Sequence, residues 1–374
     1  MGELVIYRKY RPQTFSEVVG QEHIIKTLTS EITTGNISHA YLFAGPRGTG
    51  KTTMARLLAK AINCLDHSSF EPCNKCESCT DIMDGRALDL IEIDAASNRG
   101  IDEIRDLREI VRFAPAKSKY KVFVIDEAHQ LTKEAFNALL KTLEEPPAHA
   151  VFILATTEAH KMLPTILSRV QRFDFKKLSL PEIIKKLEMV VKKERIKVDE
   201  KALRIIALNS EGFMRDAESM LGQVIAFSGD KTITVEDVEN ILGIVDINLA
   251  IKFIDLLAEK NSKEALIFID KFVNQGYDLV QFIQSLINYS RKLLLIRISK
   301  DLSKLIKEEL SAEQLNTATK QMEKFSVSEL SKIIELFIGT LYKMKYSTFP
   351  QIEAELAVVE ICGKPASTRV ERGE

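Results

Sequence analysis

The stretch that decides the fold is Gly45-Pro46-Arg47-Gly48-Thr49-Gly50-Lys51-Thr52-Thr53. It matches the P-loop pattern, and it lies between an apolar run at 41–43, which predicts a strand, and a helical pattern at 54–62. Such glycines let backbone N–H groups converge on phosphate oxygens at a helix N-terminus, while Lys51 reaches the β and γ phosphates and the Thr52 hydroxyl can ligate magnesium. The sequence therefore predicts a nucleoside triphosphate site, with ATP or GTP as its ligand.

Short apolar runs alternate with helical patterns on both sides of this loop. Residues 40–44, 89–94, 121–126 and 151–156 are rich in β-branched or aromatic side chains and read as buried parallel strands. Because helices separate them, they predict a doubly wound α/β sheet. Eight of the ten prolines lie at or before Pro181, and helical periodicity dominates after it. We therefore place the α/β domain at 1–179.

The rest of the chain divides by the length of its helical patterns. Residues 180–243 are typical of a small helical domain, and residues 244–362 of longer amphipathic helices that serve interaction or oligomerisation. The polar end, 363–374, is expected to be a linker or tail. Several domains are expected in any case, because 374 residues exceed the usual span of one hydrophobic core.

Charge and hydropathy narrow the class of protein. The 52 Lys and Arg residues nearly balance the 53 Asp and Glu residues, which excludes a globally basic nucleic-acid coat and leaves DNA contact to a local patch. The apolar runs fall far short of the about 18 residues that a membrane span requires, and the N-terminus lacks a signal-peptide pattern. We expect a cytoplasmic protein without a membrane partner.

A pair of carboxylates, Asp126 and Glu127, closes the third predicted strand. Ligands bind at the carboxyl edge of parallel sheets, so Asp126 is predicted to hold the magnesium shell and Glu127 to polarise the attacking water. The alternative is that the pair only caps the following helix. Together with Ala128 and His129 the pair spells DEAH, a helicase motif, but only one ATPase core fits upstream of residue 180.

Two more side chains are candidates for the chemistry. Thr157 follows the fourth predicted strand, where it can sense the γ phosphate or orient water, although strand propensity with capping also explains a threonine there. Arg169 follows a predicted helix start at Pro164. It is either a surface residue or a finger that completes a neighbour's site.

Four of the five cysteines crowd together, at Cys64, Cys73, Cys76 and Cys79. The two tight spacings suit a tetrahedral zinc ion held on turns, and four sulfur ligands close the shell, which indicates a structural site. The alternatives are four free cysteines or an iron–sulfur cluster. We expect this module, residues 64–79, to protrude between the P-loop helix and the strand at 89–94.

Two predicted helices each carry a basic stripe opposite an apolar one. The outward-facing residues are Lys133, Asn137 and Lys141 in one helix and Arg105, Arg108 and Arg112 in the other. Such stripes are usually solvated faces. The functional alternatives are contact with DNA phosphates and pairing with an adjacent subunit.

Several motifs together resemble one family. In chain order they are Arg11-Pro12-Gln13-Thr14-Phe15, Val19-Gly20-Gln21-Glu22, His39-Ala40-Tyr41, the P-loop, the four cysteines, Asp94-Ala95-Ala96-Ser97 and Leu139-Leu140-Lys141-Thr142-Leu143-Glu144-Glu145-Pro146-Pro147. On these residues the chain resembles the gamma/tau subunits of bacterial clamp loaders, AAA+ ATPases of the replicative DNA polymerase III holoenzyme. The likeness runs from about Tyr7 to about Gly243 and is weaker beyond.

The resemblance implies an AAA+ P-loop fold with a helical lid at 180–243 and an all-α collar at 244–362. It also implies the ligands ATP, Mg²⁺ and Zn²⁺. The segment from Tyr7 to Arg11 and the pair Val18-Val19 would then lie against adenine.

The resemblance further implies roles for three side chains. Thr157 would be the first sensor, and Arg215 would be the second, closing from the lid onto phosphate when ATP binds. Arg169 would act in trans on the ATP of a neighbouring subunit. Val170 and Phe213, beside the two arginines, depart from the family pattern.

The implied partners are other gamma/tau copies, delta and delta-prime in a pentameric ring, together with the sliding β clamp and primed DNA. ATP would favour the clamp-opening state, and DNA would trigger hydrolysis and release. Arg99, Thr132 and Lys133 are the candidates for contact with DNA phosphates. Both a gamma-like end near residue 374 and a tau-like extension beyond it are compatible with these residues.

Two rival functions remain at this level. A scaffold that resembles delta-prime shares the architecture and the cysteine module but does not hydrolyse ATP; the presence of Lys51, Thr52, Asp126 and Glu127 argues against it. A DNA-translocating AAA+ motor would carry a basic winged helix in place of residues 246–361.

Overall fold

The computed structural model describes residues 5–66, 68–228, 231–243, 246–299, 306 and 310–363. The tail expected at 363–374 lies outside these residues, apart from Gly363. The chain divides into two compact units, Met1–Ile233 and Thr234–Glu374.

One five-stranded sheet organises the first unit. Its strands are β1 (Ala40–Ala44), β2 (Leu90–Asp94), β3 (Lys121–Asp126), β4 (Ala150–Thr156) and β5 (Gln171–Asp174). All neighbouring strands are parallel, in the order β2-β3-β4-β1-β5. The predicted doubly wound α/β fold is confirmed. The sequence does not predict β5, because this edge strand buries only Phe173 and otherwise reads as polar.

Helices cover both faces of the sheet. Those of the first unit are α1 (Ile6–Lys9), α2 (Glu22–Thr34), α3 (Lys51–Ile62), α4 (Glu77–Met83), α5 (Ile101–Arg112), α6 (Lys133–Glu144), α7 (Pro164–Leu167), α8 (Leu180–Glu194), α9 (Glu200–Asn209) and α10 (Met214–Ser228). Side chains alternate between the faces along each strand. Phe43 therefore joins the apolar core under α2 and α3, whereas Leu42 joins the core under α5, α6 and α7.

The strand order brings three loops to one edge of the sheet. Strand β4 lies between β1 and β3, and its last residue, Thr156, is in register with Ala44 at the end of β1. The P-loop follows β1, Glu127 follows β3 and Thr157 follows β4. Because all three strands are parallel, these segments leave the sheet side by side, where ligands bind in such folds.

Helices α8 to α10 follow the sheet within the same unit. A capping box of Ser179 and Glu182 begins α8, and such a box satisfies backbone donors at a helix start. Helix α10 packs on the N-terminal α1 where a side chain at Gly222 would come within 3.2 Å of Ile6. This contact brings the N-terminal segment beside the helical part of the unit.

The second unit is helical throughout its described part. Its helices are α11 (Val235–Leu242), α12 (Ile247–Ala258), α13 (Ser262–Asn274), α14 (Leu279–Ile298), α15 (Ala312–Met322), α16 (Val327–Met344) and α17 (Pro350–Cys362). Its core contains packed aromatic rings, with Phe253 and Phe272 each near Phe282 at centroid distances of 5.1 and 4.5 Å. Among the described residues of the whole chain, we find no helix whose length and apolarity suit a bilayer crossing.

Candidate nucleotide site and cysteine cluster

The P-loop takes a conformation that two of its glycines require. A Cβ on Gly45 would lie 2.5 Å from the Phe175 carbonyl oxygen, so the chain can pass β5 only without a side chain there. Gly50 has a φ of 98° and directly precedes α3, a backbone region that glycine enters without a steric penalty. The first turn of α3 therefore points its N–H groups into the loop.

Lys51 stands at the centre of the loop. Its Nζ donates to the carbonyl oxygens of Gly45 at 2.7 Å and Pro46 at 2.8 Å. Burial lowers the pKa of Lys51, while the carboxylates of Glu127 and Asp126 oppose that change. The ammonium group is thus held inside the loop and beside the acidic pair.

Thr52 and Asp126 meet as the sequence predicts. The Thr52 hydroxyl donates to Asp126 Oδ2 at 2.8 Å, and the Glu127 backbone N–H donates to Asp126 Oδ1 at 2.9 Å. A hydroxyl and a carboxylate side by side are hard oxygen ligands of the kind that Mg²⁺ prefers. The donor set therefore fits magnesium.

Glu127 is joined to Thr157 across the sheet edge. Its Oε2 accepts from the Thr157 hydroxyl at 2.8 Å and from the Thr157 N–H at 3.2 Å. Its backbone is left-handed, with φ 47° and ψ 43°, which is uncommon outside glycine and clusters at functional sites. Within the described residues, its side chain makes no capping bond to the 3-10 helix Ala128–Gln130. The capping alternative thus finds no support in this geometry.

His129 extends this network, a role that sequence reasoning missed. Its Nδ1 lies 3.0 Å from Thr156 Oγ1 and 3.5 Å from Glu127 Oε2, and its Nε2 lies 2.9 Å from Glu158 Oε2. The imidazole therefore links the ends of β3 and β4. The DEAH letters are the available signal in the sequence, but by themselves they indicate a helicase motif and not this link.

The remaining predicted nucleotide contacts line one cavity. It is bordered by Tyr7, Arg11, Val18, Val19, Arg47, Gly48, Thr49, Gly50, Lys51, Thr52, Thr53, Asp126, Glu127 and Arg215. The Arg215 guanidinium lies 4.8 Å from the centre of the Tyr7 ring, and its hydrogen bond lowers the pKa of Tyr7. Gly45 and Pro46 act through their carbonyls on Lys51, outside this lining.

The same cavity has lining residues that the sequence did not indicate, among them Glu17, Leu178, Lys186, Met214 and Glu218. Burial raises the pKa of Glu218 to about 7, against the charges of Lys186 and Arg11. These residues come from separate segments and belong to no motif.

Arg169 lies away from this cavity. Its guanidinium contacts Glu144 Oε1 at 2.8 Å, the Thr165 carbonyl at 2.7 Å and Ser168 Oγ at 3.0 Å. The side chain is 34% exposed and borders a shallow depression that also includes His39 and Gln171. The structure therefore does not bring Arg169 to the nucleotide site of its own chain.

The four cysteines converge. The sulfur atoms of Cys64, Cys73, Cys76 and Cys79 all lie within 4.8 Å of one another. Zinc bonds of about 2.3 Å in a tetrahedron place sulfurs about 3.8 Å apart, close to the 4.0 Å between Cys73 and Cys79. Backbone N–H groups of Lys75 and Cys76 lower the pKa of Cys73 to about 6, whereas burial raises that of Cys79. The donor set fits zinc.

The cysteine module contacts the N-terminal segment. Glu71, within the module, accepts from the backbone N–H groups of Phe15 at 2.7 Å and Ser16 at 2.8 Å. Lys60, at the end of the P-loop helix, donates to Gln13 Oε1 at 2.8 Å. Because Val18 and Val19 follow this anchored segment, the module helps to position one wall of the cavity.

The three DNA candidates lie together. The Thr132 N–H donates to the Arg99 carbonyl at 3.2 Å, and the Thr132 hydroxyl accepts from Ala135 N as the cap of α6. Lys133 is exposed at the start of that helix. Capping therefore explains Thr132 without a ligand, while Arg99 and Lys133 present their charges nearby.

Family models cover most of the chain. The model described as DNA polymerase III, delta subunit, matches residues 20–179. The clamp loader ATPase lid domain matches 182–230, and domain III of DNA polymerase III subunits gamma and tau matches 233–371.

Curated relatives carry the same names. DNA polymerase III subunit tau is 46% identical in Bacillus subtilis, covering 97% of this chain and 64% of the relative. It is 42% identical in Escherichia coli, covering 80% of this chain and 46% of the relative. This chain thus spans about half to two thirds of these proteins. DNA polymerase III subunit gamma of Buchnera aphidicola is 33% identical over 96% of this chain and 99% of the relative.

A solved structure of the Thermotoga maritima RuvB branch migration motor has a TM-score of 0.48 and 19% identity, over 67% of this chain and 80% of that chain. At that score the likeness bears on neither function nor partners. The curated relatives are far more similar, and one of them is matched along nearly its whole length. This chain belongs to the DNA polymerase III gamma/tau subunit family.

Proposed function

We propose that this chain is an ATP-hydrolysing subunit of a bacterial clamp loader, which opens the sliding β clamp and loads it onto primed DNA. One observation carries the proposal. The Glu127 carboxylate is hydrogen-bonded to Thr157 at the edge where Thr52 meets Asp126 and Lys51 fills the P-loop. A scaffold that does not hydrolyse ATP has no need of this complete set.

Each member of the set has a role in this proposal. Lys51 neutralises the β and γ phosphates, while Thr52 and Asp126 hold Mg²⁺, which would supply further charge stabilisation. Glu127 orients the attacking water and accepts its proton. Thr157 holds the Glu127 carboxylate in place and serves as the sensor of the γ phosphate.

Two arginines complete the site. Arg215 borders the cavity and is exposed, so it is free to turn from Tyr7 toward the phosphates when ATP binds. Arg169 would act on the ATP of a neighbouring subunit, consistent with its distance from its own cavity. An arginine finger in trans makes hydrolysis depend on assembly.

The proposed partners are other gamma/tau copies, delta and delta-prime, with the β clamp and primed DNA as the cargo. The domain bounds of the proposal are an ATPase core at 1–179, a lid at 180–243 and a collar at 244–362. Its place is the cytoplasm, where the chromosome is replicated. Arg99 and Lys133 would contact the DNA backbone, as phosphates are bound by surface cations.

The test is ATP hydrolysis by the chain assembled with delta and delta-prime, with and without primed DNA and β clamp. We expect stimulation that needs both, and its loss in Lys51→Ala. A scaffold would show no hydrolysis, and a translocating motor would respond to DNA without clamp; either result rejects the proposal. Lys133→Glu should weaken the stimulation by DNA, whereas Lys263→Glu, on an exposed helix of the second unit, is the matched control.

We propose that the four cysteines bind a structural zinc ion. The measurement is the metal content of the purified chain, followed by chelation. We expect one zinc per chain and, on its removal, greater hydrogen exchange at 64–79 and at Phe15 and Ser16, which Glu71 anchors. A chain that contains iron, or exchange that chelation leaves unchanged, would contradict this assignment.

A further inference from the structure

A buried carboxyl group in the nucleotide cavity has no role in the proposal so far. Glu218 lies on α10, borders the cavity and is 5% exposed. Its Oε1 is buried without a hydrogen-bond partner among the described residues. Buried polar atoms are nearly always paired, so an unpaired acceptor beside a ligand cavity calls for a donor from the ligand.

The position of Glu218 along α10 tells which part of the nucleotide it faces. Residues 215, 218 and 222 share one helix face. Arg215 adjoins the P-loop, where a side chain at Gly48 would come within 3.4 Å of it, and Gly222 adjoins Ile6 of α1. Glu218 therefore lies between the phosphate end of the cavity and the N-terminal segment.

The neighbouring Lys186 supports the same position. It is 4% exposed, borders the cavity and donates to the Tyr10 carbonyl at 3.1 Å. Both buried side chains thus adjoin the N-terminal segment, which contributes Tyr7, Val18 and Val19 to the wall, and also Arg8, Arg11 and Glu17. The ring and the two valines suit a nucleobase, whereas a carboxylate facing the phosphates would repel them.

The two purine bases differ in what they offer to such an acceptor. Adenine carries an exocyclic amino group, a donor, where guanine carries the O6 carbonyl, an acceptor. A carboxylate can accept a hydrogen bond from the first and meets only a lone pair on the second. Lone pairs facing each other in a buried site leave both groups unpaired, which disfavours guanine.

We propose that Glu218 determines the base specificity of the cavity: its Oε1 accepts a hydrogen bond from the amino group of adenine and thereby disfavours guanine nucleotides. This inference rests on the proposed ATP-binding function. The simpler alternative is that Glu218 only balances the buried charges of Lys186 and Arg11. That structural role would change the affinity for all nucleotides alike and leave the preference between bases unchanged.

The test compares dissociation constants at pH 8 for three non-hydrolysable imido analogues with Mg²⁺: those of ATP, of GTP and of purine riboside triphosphate, which lacks the amino group. We expect the native chain to bind the ATP analogue about 10-fold to 100-fold more tightly than either of the others, the range for one hydrogen bond to a charged group. Thermal melting checks that each variant is folded.

Two variants separate the chemistry. Glu218→Gln should gain affinity for the GTP analogue, because its amide can donate to O6, while it keeps an acceptor for adenine. Glu218→Leu should bind the ATP analogue and the purine riboside analogue equally. Asp216→Asn, which removes an exposed acid from the same turn of α10, should match the native chain.

Unchanged base preference in both folded Glu218 variants would overturn the inference. If the variants do not fold, the native chain still decides it, because equal affinity for the ATP analogue and the purine riboside analogue overturns it without any substitution. That result would leave the proposed function standing. A native chain that binds none of the three ligands would overturn both.

Discussion

In the first unit several charged side chains are buried, whereas every buried polar side chain described in the second unit is uncharged. The buried charges are Lys51, Lys60, Asp89, Lys121, Lys186 and Glu218; the second unit buries Ser290, Gln321 and Thr340. Burying a charge is costly unless hydrogen bonds or an opposite charge compensate. The buried charges of the first unit therefore need hydrogen-bond partners or opposite charges to compensate them.

Some of these charges are compensated by hydrogen bonds to backbone groups of the same unit. Asp89 accepts from three backbone N–H groups, those of residues 116, 117 and 118, at 2.7 to 2.9 Å. Burial opposes ionisation of this carboxyl, but the three donors outweigh it and lower its pKa. Lys121 similarly donates to the carbonyls of Ile110 and Phe113. Lys51 and Glu218, in contrast, border the nucleotide cavity.

Large apolar side chains are exposed in both units, for example Leu88 and Phe227 in the first. In the second unit a series of them lies on α16, α17 and the turn between these helices, namely Ile338, Tyr342, Tyr346, Phe349, Ile352 and Leu356. Exposed apolar patches commonly mark contacts with other proteins. The first unit thus buries charged side chains, some of them beside the cavity, while the described part of the second unit buries uncharged polar groups and exposes apolar side chains on its last two helices.

The largest effect is expected for Glu127→Gln, which tests whether the acidic pair of the first unit carries out hydrolysis. Losing a general base costs about 10²-fold to 10⁴-fold in rate, so we expect hydrolysis to fall by that factor while the affinity for ATP changes little. Single-turnover hydrolysis and equilibrium binding measure the two quantities. Glu134→Gln, exposed on α6, is the control; a rate for Glu127→Gln within about tenfold of the native one would remove Glu127 from the chemistry.

Leu286→Ala tests whether apolar packing dominates the second unit. Leu286 is fully buried in α14, and such truncations cost about 2–5 kcal/mol. Hydrogen exchange of α14 amides should report that loss of protection, since local opening becomes easier. Gln284→Ala, on the exposed face of α14, should have little effect. Equal effects of the two substitutions would show that the core does not hold this helix.

The buried Glu218 should make the stability of the folded state depend on pH. Burial raises its pKa to about 7, so between its ordinary value near 4.5 and about pH 7 the folded state binds more protons than the unfolded state. Stability must then fall as pH rises through this window and level off above it. The difference between 4.5 and about 7 corresponds to roughly 3 kcal/mol. The nearby charges of Lys186 and Arg11 favour the ionised form and lower this pKa, but burial outweighs them.

Urea unfolding at pH 5 and pH 8 checks this sign. Other groups titrate in the same range, so the informative quantity is the difference between the native chain and Glu218→Gln. We expect the stability of the variant, measured relative to the native chain, to be higher at pH 8 than at pH 5. The opposite order would mean that Lys186 and Arg11 outweigh burial.

Removing a helix cap should have a small effect on stability, and a similar one in each unit. Ser179 and Ser326 begin α8 and α16 with capping boxes, and replacing such a residue by alanine costs about 1 kcal/mol. Ser179→Ala and Ser326→Ala should therefore cause similar losses of hydrogen-exchange protection in the first turns of their helices. A much larger loss in one of them would mean that its cap supports more than its own helix.

Local motifs explain why so much was predictable. Strands β1 and β3 were predicted with the bounds they have, because strands buried on both faces read as continuous apolar runs. Strand β5 was missed because an edge strand with one buried side chain carries no such pattern. The P-loop and the cysteine module have spacings typical of phosphate-binding and zinc-binding sites.

The sequence alone predicts four of the five strands, the phosphate loop, the acidic pair and the cysteine cluster, since each is a pattern of residues that are close along the chain. Only the tertiary structure shows that Glu127 accepts from Thr157, that Arg169 lies away from the cavity of its own chain and that Glu218 borders that cavity. The physical reason is that these relations join segments far apart in sequence. Strand order and helix packing bring such side chains together, and no local pattern records either.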